Sequence, residues 1–385
     1  MKKKIAILGS TGSIGKSLIN IIKKDKKSFE ITVLTANKNF KELIKQAKEF
    51  KVKNIIISDD KIYQKIKKNN KYKNINIYKD FSCFRKVFKK KIDYTMSSII
   101  GIDGLRPTLE IIKYTKVIAI ANKESIICGW DLLNKELKKF DTKFIPVDSE
   151  HFSMWFGLSS KIKYKHINKI YITASGGPFI NRPLSKFRSI NIKDALNHPN
   201  WKMGKKITID SATMVNKIFE VIEARNIFDI PYDKLFIVTH PKSYIHTIIQ
   251  YENGLSKIIL HDTDMKIPIF NSLNYPMIKK YNNYKIDLKI LNDLSLSNPN
   301  IKKFPSLKIL KHLPSKPSLF ETVLVSANDE LVSLFLRKQI KFTDISKNLI
   351  KILKDAKFTI YKGLKPKKVD DIINLNRYVR SEINK

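Results

Sequence analysis

Residues 4–18 read KIAILGSTGSIGKSL: a short apolar run, Ile5–Leu8, a turn carrying Gly9, Gly12 and Gly15, and then an amphipathic stretch, Ser17–Lys23, with helical spacing. Glycines let the main chain approach a pyrophosphate, and a helix N-terminus offers it unsatisfied N–H groups and partial positive charge. The spacing is G-x-x-G-x-x-G rather than the commoner G-x-G-x-x-G, and its strand-turn-helix setting points to a dinucleotide; a tight turn with no ligand is the other reading. Working outward, Glu30–Thr35, Asn54–Ile57, Ile92–Ser97 and Val117–Ala121 are further buried strands separated by helix-length segments. That alternation predicts a parallel sheet covered by helices on both faces over residues 1–148. At the end of the second strand stand Asn37, Lys38 and Asn39, where a protein specific for NAD places an acid for the ribose; a lysine favours NADP, although in this chain it also fits one more surface lysine.

At 385 residues the chain is long enough for two or three domains. After Pro146 the pattern becomes polar and mixed. Ile245–Tyr251 and Leu255–Leu260 flank Asn253-Gly254 and predict a β-hairpin, so residues 149–278 read as an α+β domain. Residues 279–303, rich in Lys and Asn, read as a linker, and 304–385 as a helical domain. No stretch approaches the roughly 18 apolar residues of a membrane helix, which excludes a spanning protein. Ile5–Leu8 is too short for a secretory segment, and two cysteines, Cys83 and Cys128, make no disulfide framework; both facts predict a cytoplasmic protein.

A net charge of +39 suggests nucleic acid, but the excess is diffuse lysine in a chain rich in Lys, Ile and Asn, as A+T-biased codon usage produces. A nucleic-acid binder would show a localised Arg/Lys and aromatic stripe, so no nucleic-acid partner is expected.

Four further segments carry chemistry. Asp148-Ser149-Glu150-His151 follows an apolar run. On an extended backbone Asp148 and Glu150 point to one side, and two convergent carboxylates suit a hard divalent cation or a shared proton. An Asp helix cap is the alternative. In the stretch Asp210 to Glu223, Asn216, Glu220 and Glu223 share a helical face with Lys217 beside it; Ser211, Asn216 and Lys217 are donors suited to a phosphate, and Glu220 is a possible third metal carboxylate. A capped amphipathic helix with solvated charges would look the same. Ser175-Gly176-Gly177-Pro178 offers N–H groups and a hydroxyl to an anion, while His198-Pro199-Asn200-Trp201-Lys202-Met203-Gly204 has the makings of a lid, or of a loop in which Trp201 is an ordinary anchor.

Taken together, GSTGSIG at Gly9–Gly15, ANKES at Ala121–Ser125, PVDSEH at Pro146–His151, SGGPF at Ser175–Phe179, HPNWKMG at His198–Gly204 and DSATMVNKIFE at Asp210–Glu220 closely resemble the 1-deoxy-D-xylulose 5-phosphate reductoisomerase family. The resemblance implies an α/β architecture with a Rossmann-like NADPH domain, an α+β catalytic and dimerisation domain and a C-terminal α-helical domain. It also implies a homodimeric enzyme of non-mevalonate isoprenoid biosynthesis that uses NADPH and Mn²⁺ or Mg²⁺. Carried over, the metal ligands are Asp148, Glu150 and Glu220. Ser175, Ser211, Asn216 and Lys217 hold the substrate phosphate with His198 nearby, and Lys123, Ser149 and Glu150 contact the reacting hydroxyketone. Thr11, Gly12, Ser13, Ile14, Asn37, Lys38, Asn39, Asn122, Glu124 and Gly204 contact the cofactor, and Trp201 covers the site. His151 joins Lys123, Glu150, His198 and Trp201 among the catalytic candidates. Asn37 stands where the family often has glycine, and His261-Asp262-Thr263 departs from the family's local sequence. A semialdehyde dehydrogenase-like reductase would share the opening motif but needs an activated cysteine, for which Cys83 and Cys128 are poorly placed.

Overall fold

Short runs of Ile and Val bounded by Asn, Gly and Asp pair edge to edge in the computed structural model, which describes residues 1–68, 72, 74–158, 166–281 and 287–385. Among these, β1 (Lys3–Leu8), β2 (Phe29–Ala36), β3 (Asn54–Ile57), β4 (Asn76–Tyr78), β5 (Tyr94–Ser97), β6 (Val117–Ile120) and β7 (Lys143–Pro146) form a parallel sheet in the order β4-β3-β2-β1-β5-β6-β7. Five of these strands match the apolar runs of the sequence. The edge strands β4 and β7 do not, because one is three residues long and the other ends in proline, a residue tolerated at a sheet edge. Ile5, Ile7, Leu8, Ile55, Ile56, Ile57 and Ile118 are fully buried. The strand order turns at β1, whose neighbours are β2 and β5, and in such sheets ligands bind at the carboxyl ends beside that turning point.

The chain divides into two compact units. The first comprises Met1–Ser125, Asp131–Asp148 and, unlike the expected division, Met265–Tyr281. The reason is local packing: Lys3 Nζ donates to the Leu273 carbonyl at 2.5 Å, and the buried Tyr94 hydroxyl meets Ser272 Oγ at 2.9 Å. The helix Lys266–Asn274 therefore belongs with the parallel sheet rather than with residues 149–278.

The second unit comprises Ile126–Trp130, Ser149–Asp264 and Asn282–Lys385. Its sheet has the order β11-β10-β8-β9, built from β8 (Ile167–Ala174), β9 (Leu235–Thr239), β10 (Ile245–Tyr251) and β11 (Ser256–Leu260). β10 and β11 form the hairpin, with Gly254 at φ +85°. Met154 and Leu158 of the helix Ser149–Leu158, and Val221 and Phe228 of the helix Val215–Phe228, pack with Ile170, Ile172 and Ile249 of the sheet. A second cross-strand row, Phe236–Tyr171–Ile248–Ile258, follows from the register, and Phe236 and Ile258 in it are exposed.

The C-terminal helices do not form a separate body. Asn328 of the helix Phe320–Leu336 donates to Asp210 Oδ1 at 2.7 Å, and Asp329 links Lys206 to Arg380, each at 2.9 Å. The expected linker 279–303 is partly structured: Ser297 and Thr239 exchange two backbone hydrogen bonds, at 2.8 and 3.0 Å. Its residues 282–286 lie outside the described residues. No helix among the described residues is long and apolar enough to cross a membrane.

Candidate active site

In the first unit the glycine turn is tied to the end of β2. Gly9 N donates to Thr35 Oγ1 at 2.8 Å and Ser10 N to the Thr35 carbonyl at 2.9 Å. Gly9 has φ +83°, and a Cβ there would lie 2.8 Å from the Ser98 carbonyl oxygen; a Cβ on Gly15 would overlap the main chain of Gly9 and Ser10. The helix begins at Ser13, earlier than its amphipathic spacing suggests, so Ser13, Ile14 and Gly15 form its first turn. Gly12 is its N-cap with no side-chain cap bond, and no acid stands in that first turn. The turn thus offers free-pointing N–H groups and space that a side chain would fill, which suits a pyrophosphate.

Asn37, Lys38 and Asn39 follow β2 and are exposed. Asn37 Nδ2 donates to Ser58 Oγ at 3.0 Å, Asn39 caps the helix Phe40–Glu49, and Lys38 Nζ lies 3.9 Å from Asp59. Asn122 caps the helix Lys123–Lys139 through Ser125 N and donates to the Gly101 carbonyl at 2.8 Å. This sets Lys123 and Glu124, both buried, at the end of β6. Lys123 Nζ pairs with Asp148 Oδ2 at 3.0 Å.

The extended backbone expected for Asp148 to Glu150 is not found. In the second unit, Ser149 and Glu150 open the helix Ser149–Leu158, so their orientation follows helical geometry instead. Ser149 Oγ donates to Glu150 Oε2 at 2.6 Å. Lys217 Nζ bridges Glu150 Oε1 and Glu220 Oε2, and Asn216 Nδ2 donates to Glu220 Oε1. The i,i+3 and i,i+4 spacings from Glu220 to Lys217 and Asn216 bring these groups onto one face. Burial alone would lower the Lys217 pKa, but Glu150 and Glu220 outweigh it and hold the ammonium well above its ordinary value. His151 is fully buried; its Nε2 lies 2.8 Å from the Glu220 carbonyl and its Nδ1 3.7 Å from Glu223 Oε2. That is the geometry of a support for the Glu220 helix.

The stretch Asp210 to Glu223, read as helical, is broken. The helix Lys205–Ala212 ends at Thr213, Met214 adopts φ +64°, and the next helix starts at Val215. Ser211 therefore stands at the end of one helix and Lys217 in the first turn of the next. His198 Nε2 lies 3.1 Å from both Ser175 Oγ and Ser211 Oγ, while its Nδ1 accepts from the backbone N–H groups of Asn200 at 3.2 Å and Trp201 at 3.0 Å. The two N–H donors require a lone pair on Nδ1, so the proton sits on Nε2 and faces the serines. Burial, with the Lys217 charge, pushes the His198 pKa down to about 4. Gly177, at φ +63°, allows its loop to approach the Lys205–Ala212 helix: a Cβ would lie 2.9 Å from the Ser211 carbonyl oxygen. Gly204, with open space around it, ends the Trp201 loop in this unit.

Sequence reading missed the groups behind this arrangement. Asn200 Nδ2 donates to Pro241 O at 2.6 Å and Ser243 Oγ at 2.8 Å, anchoring the first half of the Trp201 loop. Asp210 is fully buried and held by Lys206 at 2.8 Å, a contact that the i,i+4 spacing alone announces. The partners Asn328, Asp329 and Arg380 lie over a hundred positions away in the chain and leave no local signal.

The donor set fits a hard divalent ion: Glu150 and Glu220 are carboxylates already drawn onto one cation, the Lys217 ammonium. The glycine cradle and uncapped helix fit the diphosphate of NADPH in the same way.

Comparison with known proteins agrees with this chemistry. Family models described as 1-deoxy-D-xylulose 5-phosphate reductoisomerase match residues 5–129, its C-terminal domain model matches 144–228, and a DXP reductoisomerase C-terminal domain model matches 260–382. The chain is 56% identical over 384 residues to the 1-deoxy-D-xylulose 5-phosphate reductoisomerase of Pelagibacter ubique (strain HTCC1062), covering 99% of each chain. It is 40% identical over 346 residues to that of Wolbachia pipientis subsp. Culex pipiens (strain wPip), covering 89% of this chain and 88% of the relative. Among solved structures, it matches a DOX-P reductoisomerase in complex with NADPH, fosmidomycin and magnesium with a TM-score of 0.90 and 32% identity, over 99% of this chain and 97% of the other. The Zymomonas mobilis enzyme in complex with NADPH matches with a TM-score of 0.86 and 31% identity, over 99% and 98%. With every motif of the glycine turn, the carboxylates and the His198 cradle falling inside matches that run the length of the chain, the protein belongs to the 1-deoxy-D-xylulose 5-phosphate reductoisomerase family.

Proposed function

We propose that this chain converts 1-deoxy-D-xylulose 5-phosphate to 2-C-methyl-D-erythritol 4-phosphate, a rearrangement followed by an NADPH-dependent reduction, in non-mevalonate isoprenoid biosynthesis. The observation that carries this reading is the pair of carboxylates, Glu150 and Glu220, gathered on Lys217. The same lysine acts electrostatically on His198, which lies between Ser175 and Ser211. A carboxylate centre for a cation thus adjoins a hydroxyl and imidazole cradle for a phosphate.

Asp148, Glu150 and Glu220 would hold Mg²⁺ or Mn²⁺, and Thr11 to Ile14, Asn37 to Asn39, Asn122, Glu124 and Gly204 would hold NADPH. When bound, the ion supplies Lewis acidity to the substrate's adjacent oxygens and the nicotinamide supplies hydride. Lys217, Asn216, Ser211 and Ser175 bind the phosphate, and neutral His198 donates its Nε2 proton to it. Lys123, Ser149 and Glu150 orient the hydroxyketone, with Glu150 and Lys123 the candidates for its proton transfers. His151 fixes the Glu220 helix from behind. Trp201, on a loop anchored at Asn200 and free at Gly204, closes over the bound molecule and excludes water. Phosphate binding remote from the reacting carbons drives that closure.

We further infer that the protein is a homodimer acting in the cytoplasm. Phe236, Tyr171, Ile248 and Ile258 form an apolar row across the β11-β10-β8-β9 sheet, which a second copy would cover. The semialdehyde dehydrogenase-like alternative lacks its nucleophile: Cys83 and Cys128 are buried, and burial pushes the Cys83 thiol up to about 12. The test is NADPH oxidation by the purified protein with 1-deoxy-D-xylulose 5-phosphate, with and without Mg²⁺ or Mn²⁺ and with NADH as control. Metal-dependent oxidation that prefers NADPH is expected; no turnover in a protein that still binds NADPH overturns the substrate assignment.

A further inference from the structure

His261, one of the residues that departs from the family's local sequence, stacks on His246. Their ring centroids are 3.7 Å apart and the planes differ by 18°. His246 in turn meets Trp201 edge to face, at 6.3 Å and 70°. The three rings thus form a column ending at the tryptophan of the loop 198–204.

The column has a structural origin. β10 and β11 pair regularly except between Ile245 and Thr247, where the register shifts. The irregularity falls on His246, and bulges of this kind re-aim a side chain and bend the strand. A re-aimed imidazole needs a surface on which to rest, and His261, immediately after β11, provides it. His246 Nε2 lies 3.2 Å from the His261 carbonyl, and His261 Nδ1 lies 2.7 Å from the Asp262 carbonyl. Each ring nitrogen facing a carbonyl must carry a proton, which fixes both tautomers as well as both ring planes when the rings are neutral. Both histidines are buried, so the stack is a packed contact rather than a surface encounter. On the other side, Asn200 holds the loop's main chain against Pro241 and Ser243, and the Trp201 ring of the same loop meets His246.

We propose that His261 is a positioning residue for the Trp201 lid: by stacking on His246 it fixes the face against which Trp201 rests, and so sets how tightly the lid closes over bound substrate. The proposal rests on the reading of residues 198–204 as a lid. What His261 supplies is a flat ring; its hydrogen bond to Asp262 serves only to hold that ring in plane.

The experiment compares His261→Ala, His261→Gln and His261→Phe with the unaltered protein and with Trp201→Phe. It measures KM and kcat for 1-deoxy-D-xylulose 5-phosphate, the NADPH dissociation constant, and the change in tryptophan emission on adding substrate with Mg²⁺. The expected result is a KM raised about three- to ten-fold in His261→Ala and His261→Gln, the range of one aromatic pair, with kcat and NADPH binding little changed. Both variants would also lose the part of the emission change that Trp201→Phe abolishes, and His261→Phe would restore both readouts. If KM and the emission change stay as in the unaltered protein, or if NADPH binding falls in step with KM, the proposal is overturned. Rescue by His261→Gln but not by His261→Phe overturns it as well. Should His261→Ala not fold, the Gln and Phe variants decide the matter between them. Failure of the lid reading is distinct: Trp201→Phe would then leave substrate KM unchanged whatever the His261 variants do.

Discussion

Lys217 and Glu220 stand one helical turn apart on the helix Val215–Phe228, both almost entirely buried, with the lysine ammonium shared between the Glu220 and Glu150 carboxylates. A buried pair of carboxylates on one ammonium is a site in which a divalent cation can replace or displace the lysine's charge, freeing the lysine for an anion. Glu220→Gln keeps the shape and the Asn216 contact but removes a negative charge. Metal-dependent turnover should fall by more than the roughly 10–100-fold typical of losing a group behind a ligand, while NADPH binding, measured by fluorescence titration, stays within a factor of two. Equal loss of both would mean that Glu220 is structural.

His198 offers a separable test of the proposed phosphate cradle. With its pKa pushed down to about 4, the ring is neutral across the physiological range, and it donates from Nε2 without carrying charge. His198→Asn or Ser211→Ala should raise substrate KM about ten- to hundred-fold, the value of one or two hydrogen bonds to a charged group. Because the folded ring charges only near pH 4, the His198-dependent part of KM should show no step near pH 6.5 when KM is followed from pH 6 to 9. Such a step, absent in His198→Asn, would place the ring's titration in the neutral range instead.

The glycine turn, the β10–β11 hairpin and the shared face of Asn216, Lys217 and Glu220 were legible because each depends on near neighbours: positive φ, strand alternation, i,i+3 and i,i+4 spacing. Three features were not. The break at Met214 places a residue other than glycine in the left-handed region, which no propensity announces. The packing of 265–281 on the parallel sheet depends on Lys3 and Tyr94, some 180 to 270 positions away. The extended reading of Asp148 to Glu150 failed because a strand ending at Pro146 passes within three residues into a helix, and two opposed periodicities cannot be told apart over so short a span.

Lys38 supplies the only charge among Asn37, Lys38 and Asn39, and its ion pair with Asp59, at 3.9 Å on an exposed side chain, is weak. A 2′-phosphate should therefore compete for it. Lys38→Ala should lower the ratio of NADPH to NADH affinity about five-fold, the effect of roughly 1 kcal/mol at a solvated site, and leave substrate KM alone. Titration of each nucleotide against the two proteins checks this; an unchanged ratio would assign specificity to Asn37 and Ser58 instead.

The row Phe236–Tyr171–Ile248–Ile258 predicts the oligomeric state. Single charged residues on an apolar interface core remove both packing and desolvated contact. Ile258→Lys, on an exposed position of β11, should shift the protein toward a monomer in sedimentation velocity without changing its far-UV circular dichroism. A protein that sediments as the same species before and after the substitution would overturn the assignment of this row to a contact between copies.

Glu321 lies in the first turn of the helix Phe320–Leu336, with Oε2 accepting from Ser318 N at 3.0 Å and Ser318 Oγ at 2.8 Å and its residue 1% exposed. Burial pushes its pKa up to about 7, against the two Ser318 hydrogen bonds, which favour the charged form. The folded protein therefore holds a proton that the unfolded chain, with a pKa of 4.5, has already released. Stability from this group is fully present below pH 4.5 and is lost as pH rises toward 7, by roughly 3 kcal/mol at most. Glu321→Gln is always neutral and keeps an acceptor for Ser318, so it should raise the melting temperature at pH 8 and leave it nearly unchanged at pH 4.5. Thermal unfolding of both proteins across that interval measures the difference, and a Glu321→Gln protein destabilised equally at both pH values would show that the carboxylate is needed as a charged cap.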